Sequence, residues 1–241
     1  MASRDEKTRF LKDLYKTYHD VFDNFTEQVL FKLIKQGYLE GLESPVALGK
    51  EANVFSAKRG DGHVIVKIYR LSTCDFNTMY SYIKADPRFS NLKHDKREII
   101  FAWARREYQN LLNLHKNGIR CPVPYTFMKN VVVMEYIGDD EGFAPKVKDH
   151  KPENPADFFT EVIAMMKKMH SIGLVHGDLS AFNILNWEEK PVFIDVSQAT
   201  ITDNPQADEY LKRDIQNLCK FFKKLGANRN PEDVYALVTE K

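Results

Sequence analysis

The segment at residues 176–195 constrains the fold of this chain more than any other part of the sequence. It reads H-G-D-L-S-A-F-N-I-L-N-W-E-E-K-P-V-F-I-D, with Asp178 and Asn183 five residues apart on a predicted loop and Asp195 at the end of an apolar strand. Oxygen ligands of this kind hold Mg²⁺ against phosphates, and a carboxylate beside them can accept a proton from an attacking hydroxyl group. Each residue alone would indicate only a turn-capping side chain. The ordered set predicts phosphoryl transfer, with Asp178 as the base and Asn183 and Asp195 as metal ligands.

Composition argues against several other classes of protein. The 241 residues suffice for one two-lobed domain or two small ones, and a formal net charge of +1 gives no global attraction to nucleic acid or anionic membranes. The three cysteines show no C-x-x-C spacing, so neither a zinc site nor a disulfide framework is predicted. Because we find neither an apolar signal-peptide core nor a stretch of about 18 apolar residues, we expect a cytoplasmic protein without a membrane partner.

Hydrophobic periodicity predicts an α+β fold. Residues 1–45 are expected to be helical, with a helix start at Asn24 and an end at Gly41 and Pro45, and the polar stretch 71–94 has no clear period. The other expected elements are a hairpin turn at 59–62, strands at 64–69 and 131–134, helices at 95–116 and 155–171, and helices beginning at Ala207 and Pro231.

The order of these elements predicts two lobes, because strands and one helix precede a connector that is followed mostly by helices. We place the seam near 135–138. The expected domains are a helical extension at 1–45, a small β-rich lobe at 46–137 and a helical lobe at 138–241.

The predicted strand 64–69 carries a lysine that suggests a nucleotide site. Lys67 lies in V-I-V-K-I-Y, and a lysine in an apolar strand is costly to bury unless it is paired. Glu107 on the following helix is the expected partner, with Glu98 as a weaker competitor, and the pair would place the ammonium group near ATP phosphates. The alternative is a lysine that extends from the strand face into water.

Two further segments are candidates for nucleotide contacts. Gly49 and Lys50 precede Lys67 at the distance of a phosphate-covering hairpin, although G-K-E-A-N-V is neither G-x-G-x-x-G nor a Walker A loop. Glu135 and Ile137 follow the strand at the seam, where backbone groups can bond the adenine edge. Only their position supports this assignment, because backbone recognition leaves no side-chain signature.

These segments together resemble the RIO family of atypical protein kinases, type-one branch. The family-like motifs are G-K-E-A-N-V at 49–54, W-A-x-x-E-x-x-N-L at 103–111, H-G-D-L-S-x-x-N at 176–183 and I-D-V-S-Q at 194–198. The resemblance implies a two-lobed kinase fold with N-terminal RIO-type helices, which uses ATP with Mg²⁺ or Mn²⁺. It implies serine phosphorylation, autophosphorylation and ATP hydrolysis linked to maturation of the small ribosomal subunit.

The resemblance also implies a role for each matching residue. Asp178 would be the proton acceptor, Lys67 the lysine that contacts phosphate, and Asn183 and Asp195 the metal ligands. Asp195 would also be able to form a phospho-aspartate, whose hydrolysis completes an ATPase cycle.

Departures from the ordinary kinase pattern H-R-D-x-x-x-x-N narrow the prediction. Gly177 and Ser180 replace the usual arginine and lysine, and D-V-S replaces D-F-G. Asp214, on the next predicted helix, is only nineteen residues beyond Asp195. We therefore expect no activation loop and no peptide-docking helices. Asp214 either supports the catalytic loop or is an ordinary exposed aspartate.

Residues 84–106 contain seven Lys or Arg against three Asp or Glu, an excess of four positive charges. This basic segment is expected either to contact ribosomal RNA in a pre-ribosomal small subunit or to be a solvated helix face. Ser90 is a candidate for autophosphorylation, and the substrate is otherwise a protein serine.

Two other functions stay open at this point. Aminoglycoside phosphotransferases, which act on small molecules, share H-G-D-x-x-x-x-N but usually have a larger helical region than the forty-six residues that follow Asp195 here. A nucleotide-gated scaffold with little turnover on a pre-ribosome is the second alternative.

Overall fold

The computed structural model describes residues 22–240 of the chain. Residues 1–21, the first part of the predicted helical extension, lie outside the described residues, as does Lys241. The chain forms two compact units, the first extending to Tyr108 and including Pro124–Tyr136, the second comprising Gln109–Val123 and the chain from Ile137 onward. The three-part division at 45 and 137 stays a prediction.

The first unit is built on a five-stranded antiparallel sheet with the order β1-β2-β3-β5-β4. Arg59 pairs with Gly62, so the predicted hairpin closes through two residues, with Gly60 at a φ of +59°. Its strands are β1 (Gly41–Leu48), β2 (Ala52–Arg59), β3 (Gly62–Tyr69), β4 (Pro124–Met128) and β5 (Val131–Glu135).

Helix α1 (Asn24–Lys35) covers the sheet of the first unit. Its buried Leu30 and Leu33 pack in one cluster with Phe55 and Val66 of the sheet. The N-cap is Asp23, whose side chain accepts a hydrogen bond from the Thr26 N–H, and not the expected Asn24. The expectation of helix as far as Pro45 is wrong beyond residue 35, because β1 begins at Gly41 and Pro45 lies at a register shift of this edge strand.

The polar stretch 71–94 contains a helix that periodicity did not reveal. Helix α2 (Phe76–Lys84) is capped by Asp75 and buries only Met79 and Ile83, and a short 3₁₀ helix (Pro87–Phe89) follows. Its nine residues are fewer than the roughly 11–18 over which helical periodicity is read, and no proline marks its first turn. Helix α3 (Lys96–Lys116) comes next and passes from the first unit into the second.

The second unit is mainly helical, with three short antiparallel strand pairs. Asn154 caps α4, and Phe159 of α4 stacks on Phe222 of α5 with ring centroids 4.4 Å apart. The elements are β6 (Gly138–Asp139), β7 (Gly142–Phe143), α4 (Pro155–Ser171), β8 (Leu174–Val175), β9 (Ile184–Trp187), β10 (Lys190–Phe193), a 3₁₀ helix (Val196–Gln198), β11 (Thr200–Ile201), α5 (Ala207–Lys223) and α6 (Pro231–Thr239).

Two expectations from composition can be compared with this fold. All three cysteines are buried and free, in agreement with the absence of a predicted disulfide framework. Within residues 22–240, the helices are too short or too polar for any of them to traverse a lipid bilayer.

Candidate active site

The loop that carries Asp178 connects β8 to β9 and is held from below by Asp214 of α5. The Asp214 carboxylate is fully buried and accepts hydrogen bonds from the Gly177 N–H at 2.8 Å and the Leu179 N–H at 2.9 Å. These two amides flank Asp178, so Asp214 fixes the backbone on both sides of the predicted base. The sequence left open whether Asp214 supports this loop or is exposed, and the structure shows that it supports the loop.

The backbone conformation of this loop explains the glycine at position 177. Gly177 has a φ of +80°, and a Cβ atom there would lie 3.2 Å from the Gln198 carbonyl oxygen. Arg213, next to Asp214 on α5, donates a hydrogen bond to the Gly177 carbonyl oxygen. Sequence reasoning did not identify Arg213, because the group that it binds is a backbone carbonyl.

Burial makes Asp214 a weaker acid than an ordinary aspartate. Loss of hydration raises the pKa of Asp214 to about 7, and the negative charge of Asp178 acts in the same direction. The two amide hydrogen bonds and the neighbouring Arg213 oppose this shift. The support of the catalytic loop is therefore a group that titrates close to neutral pH.

The three residues predicted to carry the chemistry lie together in the second unit. The Asn183 side-chain amide donates to the Asp178 backbone carbonyl at 2.8 Å and to Asp178 Oδ2 at 3.0 Å. Partial burial raises the pKa of Asp178, and the negative charge of nearby Asp195 raises it further, while the hydrogen bond from Asn183 and the charge of Arg213 lower it. Asp178 is thus held in one orientation and has a raised proton affinity.

Asp195 lies two residues after the end of β10, in a left-handed backbone conformation with a φ of 58°. The Ser197 hydroxyl donates to Asp195 Oδ1 at 3.0 Å, and the Ile194 N–H donates to the Asn183 carbonyl at 3.0 Å. The hydrogen bond between Ile194 and Asn183 joins the end of the apolar strand to the catalytic loop, as the order of the motif predicts.

This arrangement fits a hard divalent cation. Asp178 and Asp195 are close enough for one charge to perturb the other, and a cation between carboxylates relieves such repulsion. Because the Asn183 nitrogen is bonded to Asp178, its side-chain oxygen is the atom left for a metal. Among residues 22–240 no three His, Cys, Asp or Glu side chains gather as a metal site on their own, and Mg²⁺ bound with phosphates needs only one or two protein ligands.

The segment after Asp195 is held by a residue whose role the sequence did not reveal. Asn110 of α3 is fully buried and donates through Nδ2 to the carbonyls of Val196 at 2.8 Å and Ala199 at 3.0 Å. From Ala199 the chain forms β11, which pairs with β8, and reaches α5 at Ala207. The expected absence of an activation loop agrees with this short path.

The first unit contains the predicted lysine–glutamate pair. Lys67 Nζ lies 2.6 Å from Glu107 Oε1, and the Tyr69 hydroxyl donates to Glu107 Oε2 at 2.5 Å. Both charged side chains are buried, so the glutamate compensates the lysine charge inside the fold. Glu107, and not Glu98, is the partner, because Glu98 lies on an exposed part of α3. The role of Lys67 in binding phosphate stays a prediction.

Gly49 and Lys50 form the turn between β1 and β2. The Gly49 N–H donates to the Ala52 carbonyl at 3.0 Å, and a Cβ atom at Gly49 would come within 3.0 Å of that same oxygen. The Lys50 carbonyl accepts from the Thr73 hydroxyl at 2.7 Å, while the Lys50 side chain is exposed. A side chain at position 49 would therefore crowd the turn, and the Lys50 side chain is available for a ligand.

Glu135 and Ile137 differ in their positions. Glu135 ends β5 opposite Val64 in the first unit, and Ile137 begins the second unit in a buried cluster with Ala144 and Leu185. The Ile137 carbonyl accepts from the Ala144 N–H at 2.8 Å. The Ile137 N–H forms no hydrogen bond to another residue of the described range, which suits the predicted backbone contact to a base.

The basic segment 84–106 has fewer available charges than its sequence suggests. Arg106 is fully buried, with its Nε 3.4 Å from an Asp86 oxygen, and Arg88 donates to both carboxylate oxygens of the same buried Asp86. These three side chains form an ionic cluster around Asp86. The exposed basic side chains outside this cluster are Lys84, Lys93, Lys96, Arg97 and Arg105.

The predicted site residues therefore fall into two groups. The first unit holds Gly49, Lys50, Lys67, Glu107 and Glu135, and the second holds Ile137, Asp178, Asn183 and Asp195. In the first unit Lys67 contacts Glu107, as predicted, and in the second unit Asn183 contacts Asp178.

Comparison with known proteins agrees with the motifs. The family model described as the RIO domain matches residues 53–234. The RIO-type serine/threonine-protein kinase Rio1 of Haloferax volcanii is 39% identical over 98% of this chain and 82% of its own length. Rio1 of Methanocaldococcus jannaschii is 41% identical over 98% of this chain and 81% of its own.

Solved structures show the same fold. The crystal structure of the Rio2 kinase–ADP/Mg²⁺–phosphoaspartate complex from Chaetomium thermophilum matches with a TM-score of 0.71 at 21% identity, over 96% of this chain and 75% of that one. A second structure of the Rio2 kinase from the same organism matches with a TM-score of 0.69. The two-lobed protein-kinase-like α+β fold predicted from the sequence is confirmed.

Proposed function

Because this chain belongs to the RIO family of serine/threonine protein kinases, we propose that it transfers the γ-phosphoryl group of ATP to a protein serine, with Mg²⁺ held by Asn183 and Asp195. The observation that carries this assignment is the fixed Asp178–Asn183 pair, in which one amide orients a carboxylate of raised pKa. Family membership disfavours the alternative of a small-molecule phosphotransferase.

The residues of the site have separate tasks in this reaction. Asp178 accepts the proton of the attacking hydroxyl, and its raised pKa increases its strength as a base. Lys67, held by Glu107, contacts the ATP phosphates. When bound, Mg²⁺ would neutralise the charge that develops on the phosphoryl oxygens. Asp214 and Asn110 keep the two backbone segments that carry Asp178 and Asp195 in place.

Replacing the predicted base tests the assignment. We expect Asp178→Ala to lower radiolabel transfer from ATP by about 10²–10⁴-fold, the usual contribution of a general base. Asp203→Ala, which removes an exposed aspartate of the same unit, is the matched control and should keep full transfer. Equal rates for wild type and Asp178→Ala would show that Asp178 is not the base.

We further propose that Asp195 accepts the phosphoryl group during ATP hydrolysis. An Asp195 oxygen would bond to the γ-phosphorus as the bond to ADP breaks, and water would then release phosphate and restore the carboxylate. The support is that Asp195 is exposed and that the Rio2 structure contains a phosphoaspartate. Hydroxylamine should release label from the wild type and find none on Asp195→Asn. Label that resists hydroxylamine would instead indicate a phosphoserine, for which exposed Ser90 is the candidate.

The proposed partner is a pre-ribosomal small subunit, contacted through its RNA. The support is the exposed basic side chains of residues 84–106, of which Lys84, Lys93 and Lys96 are the test set. Their joint replacement by Ala should reduce the salt dependence of RNA binding by about one unit of slope for each lost phosphate contact. The control replaces the exposed Lys220 and Lys223 of α5 and the exposed Lys224 that follows it. Equal slopes for both variants would indicate a solvated face.

A nucleotide-gated scaffold is the second candidate, and the support for it is the short segment between Asp195 and α5. Without an activation loop or docking helices, turnover on protein substrates is expected to be slow. Phosphate release measured beside label transfer separates the two: a scaffold would bind ATP and complete at most one turnover. The cytoplasmic location stays a prediction.

A further inference from the structure

Phe182 is an exposed aromatic residue on the catalytic loop, next to the chemical groups. It is 57% exposed and directly precedes Asn183, whereas the large exposed hydrophobics Leu48 and Leu237 lie on β1 and α6. Single exposed apolar residues are common on protein surfaces and need no explanation by themselves. Its position beside the catalytic groups, and not its exposure alone, therefore suggests a function for Phe182.

The backbone of Phe182 is fixed by a hydrogen bond, and its exposed ring lies beside the ammonium group of a lysine. The Phe182 N–H donates to the Ser180 hydroxyl at 3.3 Å, and Lys148 Nζ lies 4.9 Å from the ring centroid. The backbone around Lys148 is fixed to the loop as well, because its N–H donates to the Ala181 carbonyl at 3.1 Å. A pre-positioned aromatic side chain of this kind loses little conformational entropy on binding, which is typical of interaction hot spots.

The ring is within reach of a polypeptide acceptor. The Asn183 side chain contacts Asp178 Oδ2 at 3.0 Å, and neighbouring Cα atoms are about 3.8 Å apart, so the Cα atom of Phe182 lies within about 10 Å of the predicted base. An extended chain advances about 3.3 Å per residue. Two or three residues therefore separate an accepting hydroxyl at Asp178 from a side chain at Phe182.

The chemistry around the ring favours an apolar partner. Phe182 offers no group that binds phosphate, and the ammonium group of Lys148 is paired with Asp149 at 2.9 Å. The path from Asp195 to α5 is also short, so the catalytic loop itself is a surface next to Asp178 that an acceptor can contact.

We propose that Phe182 binds an apolar side chain of the acceptor protein, two or three residues from the phosphorylated serine, and so determines acceptor specificity. This inference rests on the proposed function, because it takes Asp178 as the group that faces the accepting hydroxyl.

Two synthetic peptides test this specificity. Each has nine residues and one central serine; one carries Leu at the positions two and three residues away on both sides, and the other carries Ala there. We expect wild type to phosphorylate the Leu peptide with about tenfold higher kcat/KM, a usual gain for a buried apolar group. Phe182→Ser should reduce this ratio to between one and two. Phe182→Leu should preserve most of it.

Leu237→Ser, which removes another exposed hydrophobic side chain of the same unit, is the matched control and should keep the tenfold ratio. Equal kcat/KM for the two peptides with wild type would overturn the inference. A fall in both values for Phe182→Ser at an unchanged ratio would overturn it too, because it indicates a structural role. Wild type that neither transfers label nor releases phosphate would overturn the proposed function itself.

Discussion

The two groups of predicted site residues are stabilised in different ways. In the first unit a buried ion pair between two side chains, Lys67 and Glu107, is joined by the Tyr69 hydroxyl. In the second unit, buried side chains hold backbone groups: Asp214 binds two amides and Asn110 binds two carbonyls. The first arrangement fixes a functional side chain directly, whereas the second fixes the path of the chain on which Asp178 and Asp195 are carried.

This difference has a consequence for mutation. Loss of one member of the ion pair leaves an uncompensated buried charge, which is costly for folding. Loss of a side chain that binds backbone shifts the loop, and a small displacement of a catalytic group affects the rate more than the stability. Substitutions in the first unit should therefore change mainly the free energy of unfolding. Substitutions in the second unit should also change the rate of phosphoryl transfer.

The largest effect on stability is expected for Glu107→Ala. Buried Lys67 then lacks its counter-charge, and we expect the free energy of unfolding to fall by about 3–5 kcal/mol. Urea denaturation measures this loss. The double variant Lys67→Met/Glu107→Leu removes both charges and should recover most of the stability, but without activity. If the double variant were as unstable as Glu107→Ala, packing and not the uncompensated charge would explain the loss.

The next effect is kinetic and concerns Asp214→Ala. The Gly177 and Leu179 amides lose their acceptor, and displacement of Asp178 by about 1 Å would lower kcat about 10²-fold. Steady-state label transfer at saturating ATP measures this change, and the loss is expected in kcat because Asp178 acts on the accepting hydroxyl. The control is Asp208→Ala, an exposed aspartate of the same helix. A rise in KM at constant kcat would contradict a positioning role for Asp214.

Asp214 also predicts how stability depends on pH. Burial raises the pKa of Asp214 from 3.8 to about 7, so between these values the folded state binds more protons than the unfolded state. The contribution of Asp214 to stability is fully present below pH 4 and is lost as the pH rises through 7, by at most about 1.4 kcal/mol per pH unit.

Comparison of wild type with Asp214→Asn isolates this titration. From pH 5 to pH 8 the unfolding free energy of the wild type should fall relative to that of Asp214→Asn, because asparagine does not ionise. A difference that stays constant over this range would mean that Asp214 is ionised throughout. The two amide hydrogen bonds would then outweigh the cost of burial.

The same contrast explains what could be predicted from the sequence. Lys67 in an apolar strand indicates a buried counter-charge, because an unpaired lysine is costly there. The partner must then be an acidic side chain, which can be looked for in the sequence. Asp214 and Asn110 bind backbone, which every residue has, so nothing in the sequence identifies the groups that they hold. Even with Asp214 in view, the sequence could not decide between support and exposure.

Secondary structure follows a similar rule. Helix α4 matches its predicted bounds because Pro155 marks its start and the apolar residues recur on one face. Helix α2 does not follow from the sequence, because it is short and, unlike the equally short α6, has no proline in its first turn. From the sequence, edge strand β1 looks like the end of a helix, because Gly41 and Pro45 interrupt helices and strands alike. The pairing with β2 that makes it a strand involves residues further along the chain.

The smallest effect is expected for Asn110→Ala. The carbonyls of Val196 and Ala199 lose a shared neutral donor in a buried position, which costs about 1–2 kcal/mol of stability, less than loss of the charged partner in the first unit. Asn110→Asp should be worse than Asn110→Ala, because it directs a carboxylate at two carbonyl oxygens. Thermal unfolding of both variants measures the order. If Asn110→Asp were the more stable of the two, the amide would not be acting as a donor, and the backbone after Asp195 would need another support.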